Sequence, residues 1–188
     1  GIDCGFFINE WYMPPDTDRR FIVLTFDKRL DYLSKLKDTI SSTTTHDIIL
    51  ATHRPFNYIY HTIFADILAR IPIELSRRVL SSRGLLGSDS RFLRQKHIFM
   101  SDNIKDYLFL YRNAEEVHSD RVHAVVSSIS YGTDAWLYFD TPRASLFENI
   151  GAKLKDHKVV VKDATLEKRK LEMVSFLRDI ISDTFHHI

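Results

Sequence analysis

Cysteine is nearly missing from this sequence, because Cys4 is the only one among 188 residues. A single thiol cannot form an internal disulfide and cannot build a cysteine-based metal cluster. Such sparse use of cysteine is typical of proteins from reducing compartments. We therefore expect a cytoplasmic protein that holds no metal.

The sequence also lacks an excess of charge of either sign. It has 26 lysines and arginines against 25 acidic residues, which leaves a net charge of +1. No bulk positive field therefore favours nucleic acid or an anionic membrane as a partner. No apolar run approaches the ~20 residues that cross a bilayer, so we expect no membrane span. A start at Gly1 rather than Met is typical of a processed or excised piece.

Glycine is scarce as well, with six residues, and the glycine-rich signatures of common nucleotide sites are missing. There is no Gly-x-Gly-x-x-Gly stretch and no phosphate loop that ends in Gly-Lys-Ser or Gly-Lys-Thr. No internal repeat is visible. These absences argue against a simple dinucleotide-binding or nucleoside-triphosphatase function.

What the sequence does contain is an alternation of short apolar runs and amphipathic stretches. This alternation is typical of an α/β fold with a Rossmann-like parallel sheet and helices on both faces. The apolar runs predict strands at 21–26, 47–52, 97–100, 116–118, 135–139 and 158–161. Apolar residues at helical spacing predict helices near 30–40, 56–70, 74–82, 104–111, 124–131 and 145–150, with a polar loop at 41–45.

The two ends of the chain are expected to differ from this alternating part. Residues 1–20 show no period and are interpreted as a lead-in segment on the domain surface, or alternatively as a linker or docking surface. Residues 21–188 are expected to form a single α/β domain. Its closing helix begins near Asp163 or Thr165 and repeats apolar residues on one face, namely Leu166, Leu171, Val174, Leu177 and Ile181.

Polar side chains follow each predicted strand. Right-handed crossovers place all of these strand-to-helix turns at one edge of a parallel sheet. Ligands bind at that edge in open α/β folds. The residues expected there are Asp27, His53, Arg54, Ser101, Asp102, Asp120, Arg121, Val122, His123 and 140–143.

The turn at 119–123 combines the groups best suited to chemistry. Ser119 or Asp120 is predicted to cap the following helix, whose first N–H groups attract anions. Arg121 adds a planar fork for a carboxylate or phosphate. His123 adds a group that can move a proton near neutral pH. The plainer interpretation is a helix cap beside a surface charge and a solvated histidine.

The stretch from 104 to 143 resembles the C-terminal part of the polysaccharide pyruvyl transferase family. The motif is Ser119-Asp120-Arg121-Val122-His123, followed by a small-residue helix and Gly132. An apolar strand and the segment Tyr138-Phe139-Asp140-Thr141-Pro142-Arg143 complete the similarity, and the helix start at 101–104 fits it too.

This resemblance implies one half of a glycosyltransferase-B-like fold, in the C-terminal domain of a larger enzyme. Such enzymes transfer the pyruvyl group of phosphoenolpyruvate to a sugar of a cell-surface polysaccharide as a ketal. No cofactor is implied, because phosphoenolpyruvate is the donor substrate. The partners would be this anionic donor, a saccharide acceptor, and a missing N-terminal domain or a second copy of the chain.

The resemblance places Arg121 and His123 in catalysis, with Arg121 also meeting the donor. The other residues expected to bind substrate are Arg143, His53, Arg54, Ser119, Asp120 and Ser101. Two alternatives stay open. One is the nucleotide-sugar half of a glycosyltransferase, which would need an acidic residue for a ribose. The other is a non-enzymatic domain that retains the fold.

Overall fold

The computed structural model of the chain describes residues 2–26, 29–52, 98–99, 101 and 103–185. The predicted helices near 56–70 and 74–82 lie outside these residues, as do Asp27, Asp102 and the two end residues of the predicted strand at 97–100. Nearly all of the other predicted elements fall within the described residues and can be compared directly.

A mixed, mostly parallel sheet forms the centre of the described part of the chain. Its seven strands lie in the order β3-β2-β1-β4-β5-β7-β6. Strands β1 to β5 are parallel, whereas β7 runs antiparallel to both β5 and β6. The α/β prediction is confirmed. The strands are β1 (Phe21–Thr25), β2 (Asp47–Ala51), β3 (Ile98–Phe99), β4 (Glu116–Ser119), β5 (Asp134–Leu137), β6 (Lys153–Lys155) and β7 (Lys158–Val160).

The predicted sixth strand is the second half of a hairpin that the apolar pattern does not predict. Its first half, β6, carries Lys-Leu-Lys and is exposed at all three residues, so it gives no apolar run. The two residues between the strands, Asp156 and His157, have φ angles of 48° and 68°. Left-handed backbone at both positions matches the right-handed twist of a tight hairpin.

Helices cover both faces of the sheet because side chains alternate along its central strand. Phe21 and Val23 of β1 enter one apolar layer, while Ile22 and Leu24 enter the other. The layer around Ile22 is closed by α2, and the layer around Val23 by α3, α4 and α5. These helices are α2 (Leu30–Thr43), α3 (Ile104–Asn113), α4 (Val122–Ser130) and α5 (Ser145–Asn149).

The lead-in segment contributes to the core of the domain. It forms a 3₁₀ helix (Cys4–Phe7) and the one-turn helix α1 (Ile8–Trp11). Phe6 is fully buried in the layer beside α4. The hydroxyl of Ser130 in α4 donates to the carbonyl of Phe6 at 3.0 Å, which fixes the segment to the domain.

One helix boundary differs from the prediction, and one predicted apolar helix face is mostly exposed. The expected polar loop at 41–45 is wrong in its first half, because α2 continues through Thr43. Ser42 and Thr43 stay helical while their hydroxyls donate to the backbone carbonyl of Thr39. The closing helix α6 (Asp163–Phe185) buries Leu166, but Leu171 is 70% exposed and Leu177 and Ile181 are also exposed. Helical spacing therefore predicted the helix correctly but not which of its residues are covered.

Candidate functional site

The strand order places a crevice between β1 and β4. The chain moves from β1 outward to β2 and β3, and then returns to β4 on the other side of β1. Ligands of open α/β sheets bind at such a point, outside the carboxyl ends of the strands. Thr25 and Ser119 are the last residues of β1 and β4 and lie opposite each other in register. The candidate site therefore begins at this pair.

Ser119 fixes the turn from β4 into α4 through its hydroxyl. Its Oγ donates to the carbonyl of Thr25 at 3.0 Å and accepts from the backbone N–H of Arg121 at 2.8 Å. The neighbouring hydroxyl of Thr25 is fully buried. Within the described ranges it is the one buried polar side-chain atom without a hydrogen-bond partner. Buried polar groups in native folds nearly always have a partner, so the hydroxyl of Thr25 is an exception at this end of β1.

The start of α4 differs from the prediction in one respect. Arg121 is the N-cap residue, and its side chain makes no cap hydrogen bond. The predicted cap by Ser119 or Asp120 is therefore wrong, because Ser119 bonds the N–H of the N-cap residue itself. The first N–H groups of α4 lie at the carboxyl edge together with Arg121, and the first turn carries no acidic residue. This arrangement favours an anion there.

His123 lies in the first turn of α4 and is exposed, whereas its neighbours Val122 and Ala124 are buried. The two neighbours anchor the turn in the core. Because of this anchoring, the imidazole is presented to solvent from a fixed backbone. Its position suits proton exchange with a molecule bound at the carboxyl edge.

Asp120 joins the two loops that border the crevice. It is buried, and its Oδ2 accepts the backbone N–H of Arg29 at 2.9 Å. Arg29 immediately precedes α2, so the bond ties the loop after β1 to the loop after β4. The structure thus uses Asp120 to hold the edge together.

The remaining predicted site residues are spread along the same edge. Arg143 is exposed in a 3₁₀ turn (Pro142–Ala144) that follows β5, the neighbour of β4. Ser101 was expected at the start of α3, but Asn103 is the N-cap residue there and accepts the N–H of Lys105. The hydroxyl of Ser101 instead donates to Asp106. His53 and Arg54 lie outside the described residues. The structure therefore brings Arg121, His123 and Arg143 to adjacent turns.

The sequence did not predict a buried network of polar side chains on the α2 face of the sheet, formed by Glu116, His118 and Tyr138. His118 contacts Tyr138 Oη through Nδ1 at 3.0 Å and Glu116 Oε2 through Nε2 at 3.0 Å. The imidazole also stacks on Trp136, with ring centroids 4.5 Å apart. Both His118 and Tyr138 are buried, with exposed fractions of 5% and 7%.

The proton positions in this network follow from which of its groups can donate and which can only accept. The carboxylate of Glu116 can only accept, so Nε2 of His118 carries a hydrogen and donates to it. In the neutral imidazole, Nδ1 then accepts from the phenol of Tyr138. Burial lowers the pKa of His118, although the hydrogen bond and charge of Glu116 act in the opposite direction. Burial also raises the pKa of Tyr138 to about 12, with Glu116 and Tyr32 adding to the effect.

The sequence contained one indication of this network. Glu116 and His118 are two residues apart in a strand and therefore share a face. Their partner Tyr138 follows the neighbouring strand, 20 residues further along, and only the pairing of β4 with β5 brings it close.

Other features of the described residues lie apart from this edge. A cavity of about 470 Å³ is lined by Ile2, Glu148, Arg169 and Phe176, among others, and by none of the predicted site residues. Within the described ranges, no three histidine, cysteine or acidic side chains are grouped to hold a metal ion. The described helices also include none with the length and apolar character needed to cross a membrane.

Comparison with known proteins adds no relative. No family model, no curated protein and no solved structure matches this chain.

Proposed function

We propose that this chain is the donor-binding domain of a transferase that converts phosphoenolpyruvate and a saccharide into a pyruvate ketal. The observation that carries the proposal is the carboxyl edge at β1 and β4. There Arg121, the first turn of α4 and the exposed His123 follow directly on the end of β4. Arg143 stands on the next turn along the edge.

Phosphoenolpyruvate carries a carboxylate and a phosphate, so its binding needs at least two cationic or N–H-rich positions. Arg121 and the first turn of α4 supply one position. Arg143, after the adjacent strand, supplies a second.

The reaction needs a group that handles protons, and His123 is suited to it. Two hydroxyls of the acceptor form bonds to C2 of the donor, and the bond between C2 and the phosphate oxygen breaks. Two protons leave the hydroxyls in the process. One ends on the methylene carbon, which becomes a methyl group, and the other leaves with the phosphate. An exposed imidazole at the edge can accept and return such a proton.

This proposal makes the chain a partial enzyme. Alignment of acceptor and donor can contribute ~7–11 kcal/mol to lowering the barrier, and a cleft with two walls provides it. The described residues supply one sheet and one set of carboxyl-end loops. A further domain or a second chain would complete the cleft. The single-thiol composition supports a reducing, cytoplasmic setting.

The test is a thermal-shift panel of phosphoenolpyruvate, UDP, GDP and CMP, followed by calorimetry. A ligand that binds only the native state raises the melting temperature. We expect phosphoenolpyruvate to stabilise the chain and Arg121→Ala to weaken its binding by about 1.5–3 kcal/mol, the size of a charge-assisted hydrogen bond. Arg121→Lys should restore only part of that loss.

Arg19→Ala is the matched control, since Arg19 lies on the surface at the opposite edge and pairs with Asp47 at the start of β2. It should leave donor binding unchanged. A parent-like affinity in Arg121→Ala contradicts the anion site. Stabilisation by UDP or GDP instead of phosphoenolpyruvate would favour the nucleotide-sugar alternative.

A further inference from the structure

A second group of rings lies at the same carboxyl edge, on the α2 face of the sheet. It consists of Tyr32 in the first turn of α2, Tyr138 after β5, and His157 in the turn between β6 and β7. The ring of His157 stacks on Tyr138 with centroids 4.6 Å apart. Tyr32 meets His157 edge-on at 5.8 Å and Tyr138 at 5.4 Å.

The hairpin turn holds His157 in an unusual backbone conformation. Its φ of 68° lies in the left-handed region, and Asp156 before it has a φ of 48°. The tight two-residue turn of the hairpin requires this conformation at both positions. The turn is pinned to the carboxyl end of β5, because the N–H of Leu137 donates to the carbonyl of His157 at 2.8 Å.

The same turn orients the two nitrogens of the imidazole. Nδ1 of His157 lies 3.2 Å from the carbonyl of Leu137. A carbonyl can only accept, so Nδ1 carries a hydrogen, and in the neutral imidazole Nε2 then has a lone pair. His157 is exposed, whereas Tyr138 beneath it is buried. One face of the imidazole is therefore covered by Tyr138, and the ring is otherwise presented to solvent beside Tyr32, which is half-buried.

A rigid ring face next to a fixed hydrogen-bond acceptor is suited to a neutral polyhydroxylated ring. The C–H groups of such a ligand pack on the electron-rich face of an aromatic ring, and one of its hydroxyls can donate to Nε2. In its neutral form, the imidazole offers no Nε2 hydrogen to the phosphate or carboxylate of the donor.

The position is also connected to the donor edge. The loop that leads into α2 is tied to Asp120 through the N–H of Arg29, and Asp120 directly precedes Arg121. The guanidinium of Arg29 lies 4.4 Å from the centroid of the Tyr32 ring. The aromatic group and the turn into α4 therefore flank the same pair of loops.

We propose that His157 forms a saccharide subsite beside Tyr32, in which a sugar ring packs on the face of the imidazole that Tyr138 does not cover and donates a hydroxyl hydrogen to Nε2. This subsite would hold the acceptor, and in that role it rests on the proposed transferase function. Its saccharide binding can be measured without the donor.

The experiment follows the imidazole signals of the chain by NMR during titration with methyl galactoside, methyl mannoside and methyl glucoside. The signal of His157 is identified by its loss in His157→Asn. Asparagine tolerates left-handed backbone and keeps an amide for the carbonyl of Leu137, so this variant removes the ring and keeps the turn. We expect at least one glycoside to shift the His157 signal in a saturable way.

In His157→Asn, the affinity for that glycoside should fall about tenfold or more, as for the loss of one ring contact and one hydrogen bond. His46→Asn is the matched control, because His46 lies at the opposite edge, just before β2, and pairs with Glu115. It should bind the glycoside as the parent does. The thermal shift caused by phosphoenolpyruvate should be unchanged in both variants.

The outcomes separate the two proposals. If no glycoside moves the His157 signal of the parent chain, or if His157→Asn binds as the parent does, the saccharide subsite is refuted. If a glycoside binds at His157 while phosphoenolpyruvate fails to bind, the subsite stands and the donor-binding proposal fails. If His157→Asn fails to fold, the signal of His157 is assigned in the parent by its nuclear Overhauser contacts with the ring of Tyr138, 4.6 Å away, so the titration does not depend on the variant.

Discussion

Tyr138→Phe is expected to destabilise the chain in a way that depends on pH. The substitution keeps the ring and removes the hydroxyl that donates to Nδ1 of His118. Both side chains are buried, so water does not replace the lost donor. A buried acceptor left without its partner costs about 1–3 kcal/mol in the free energy of unfolding. For a chain of this length, a loss of about 2 kcal/mol lowers the melting temperature by about 4–8 °C.

The pH dependence follows from the protonation state of His118. Its pKa in the folded chain is lower than the usual 6.5, because burial disfavours the charged imidazole. Between these two values the unfolded chain binds more protons than the folded chain. Stability therefore falls as the pH decreases from 6.5 toward the folded-state pKa, and it is retained above 6.5.

In Tyr138→Phe the neutral form of His118 loses the donor that stabilises it, so its pKa in the folded chain should rise toward the usual value. The parent loses stability below pH 6.5, but the variant loses less. The difference in the free energy of unfolding between parent and variant should therefore be larger at pH 8 than at pH 5.

The assay is urea unfolding of both proteins at a series of pH values, with NMR titration of the His118 ring. Tyr131→Phe is the matched control. The hydroxyl of Tyr131 donates to the carbonyl of Tyr12 at 2.7 Å, so its loss also costs a hydrogen bond but involves no group that titrates between pH 5 and 8. Its effect should be constant over this range. If the destabilisation by Tyr138→Phe is also the same at every pH between 5 and 8, the proposed proton positions in the Glu116–His118–Tyr138 network are refuted.

Three further predictions concern separate parts of the molecule. His123→Ala should leave phosphoenolpyruvate affinity nearly unchanged in calorimetry, but in a completed enzyme it should lower turnover roughly 100-fold, and parent-like phosphate release would make His123 structural. Gly132→Ala should lower the free energy of unfolding by about 1–2 kcal/mol in urea unfolding, because Gly132 has a φ of 80° and alanine is strained there. An added Cβ would meet no described atom within 4 Å, so only this backbone strain contributes. Lys170→Ala should lower the free energy of unfolding by about 1–2 kcal/mol in the same assay, since the buried ammonium donates to Asn9 Oδ1 at 3.0 Å and contacts Glu10. An unchanged unfolding midpoint would contradict this role.

The candidate site was predictable where it depended on local order along the chain. Arg121 and His123 follow a strand and begin a helix, so the sequence alone placed them at the carboxyl edge of a parallel sheet. The same reasoning placed Arg143 after the next strand. What these residues bind stays a prediction. The network of Glu116, His118 and Tyr138 could not be predicted, because its members come from β4 and from the segment after β5. The rings around His157 could not be predicted either, because they come from α2, the segment after β5 and a hairpin turn.

The sequence by itself determined the class of the fold and most of its elements. Apolar runs and helical spacing are local properties, so they suffice to locate β1, β4 and β5 and the helices α2, α3 and α4. Glycine at the end of α4 marks where that helix stops, because Gly132 adopts a left-handed conformation that few other residues accept.

Tertiary structure alone decided which side chains meet. The alternation of a strand says which residues share a face, but pairing with a neighbour decides which of them are opposite each other. That is why Tyr138 and His118 meet only in the folded sheet. It is also why the apolar spacing of α6 did not reveal that Leu166 is covered while Leu171 and Leu177 are exposed. Helical period is a property of the segment, whereas burial depends on what the rest of the chain places against it.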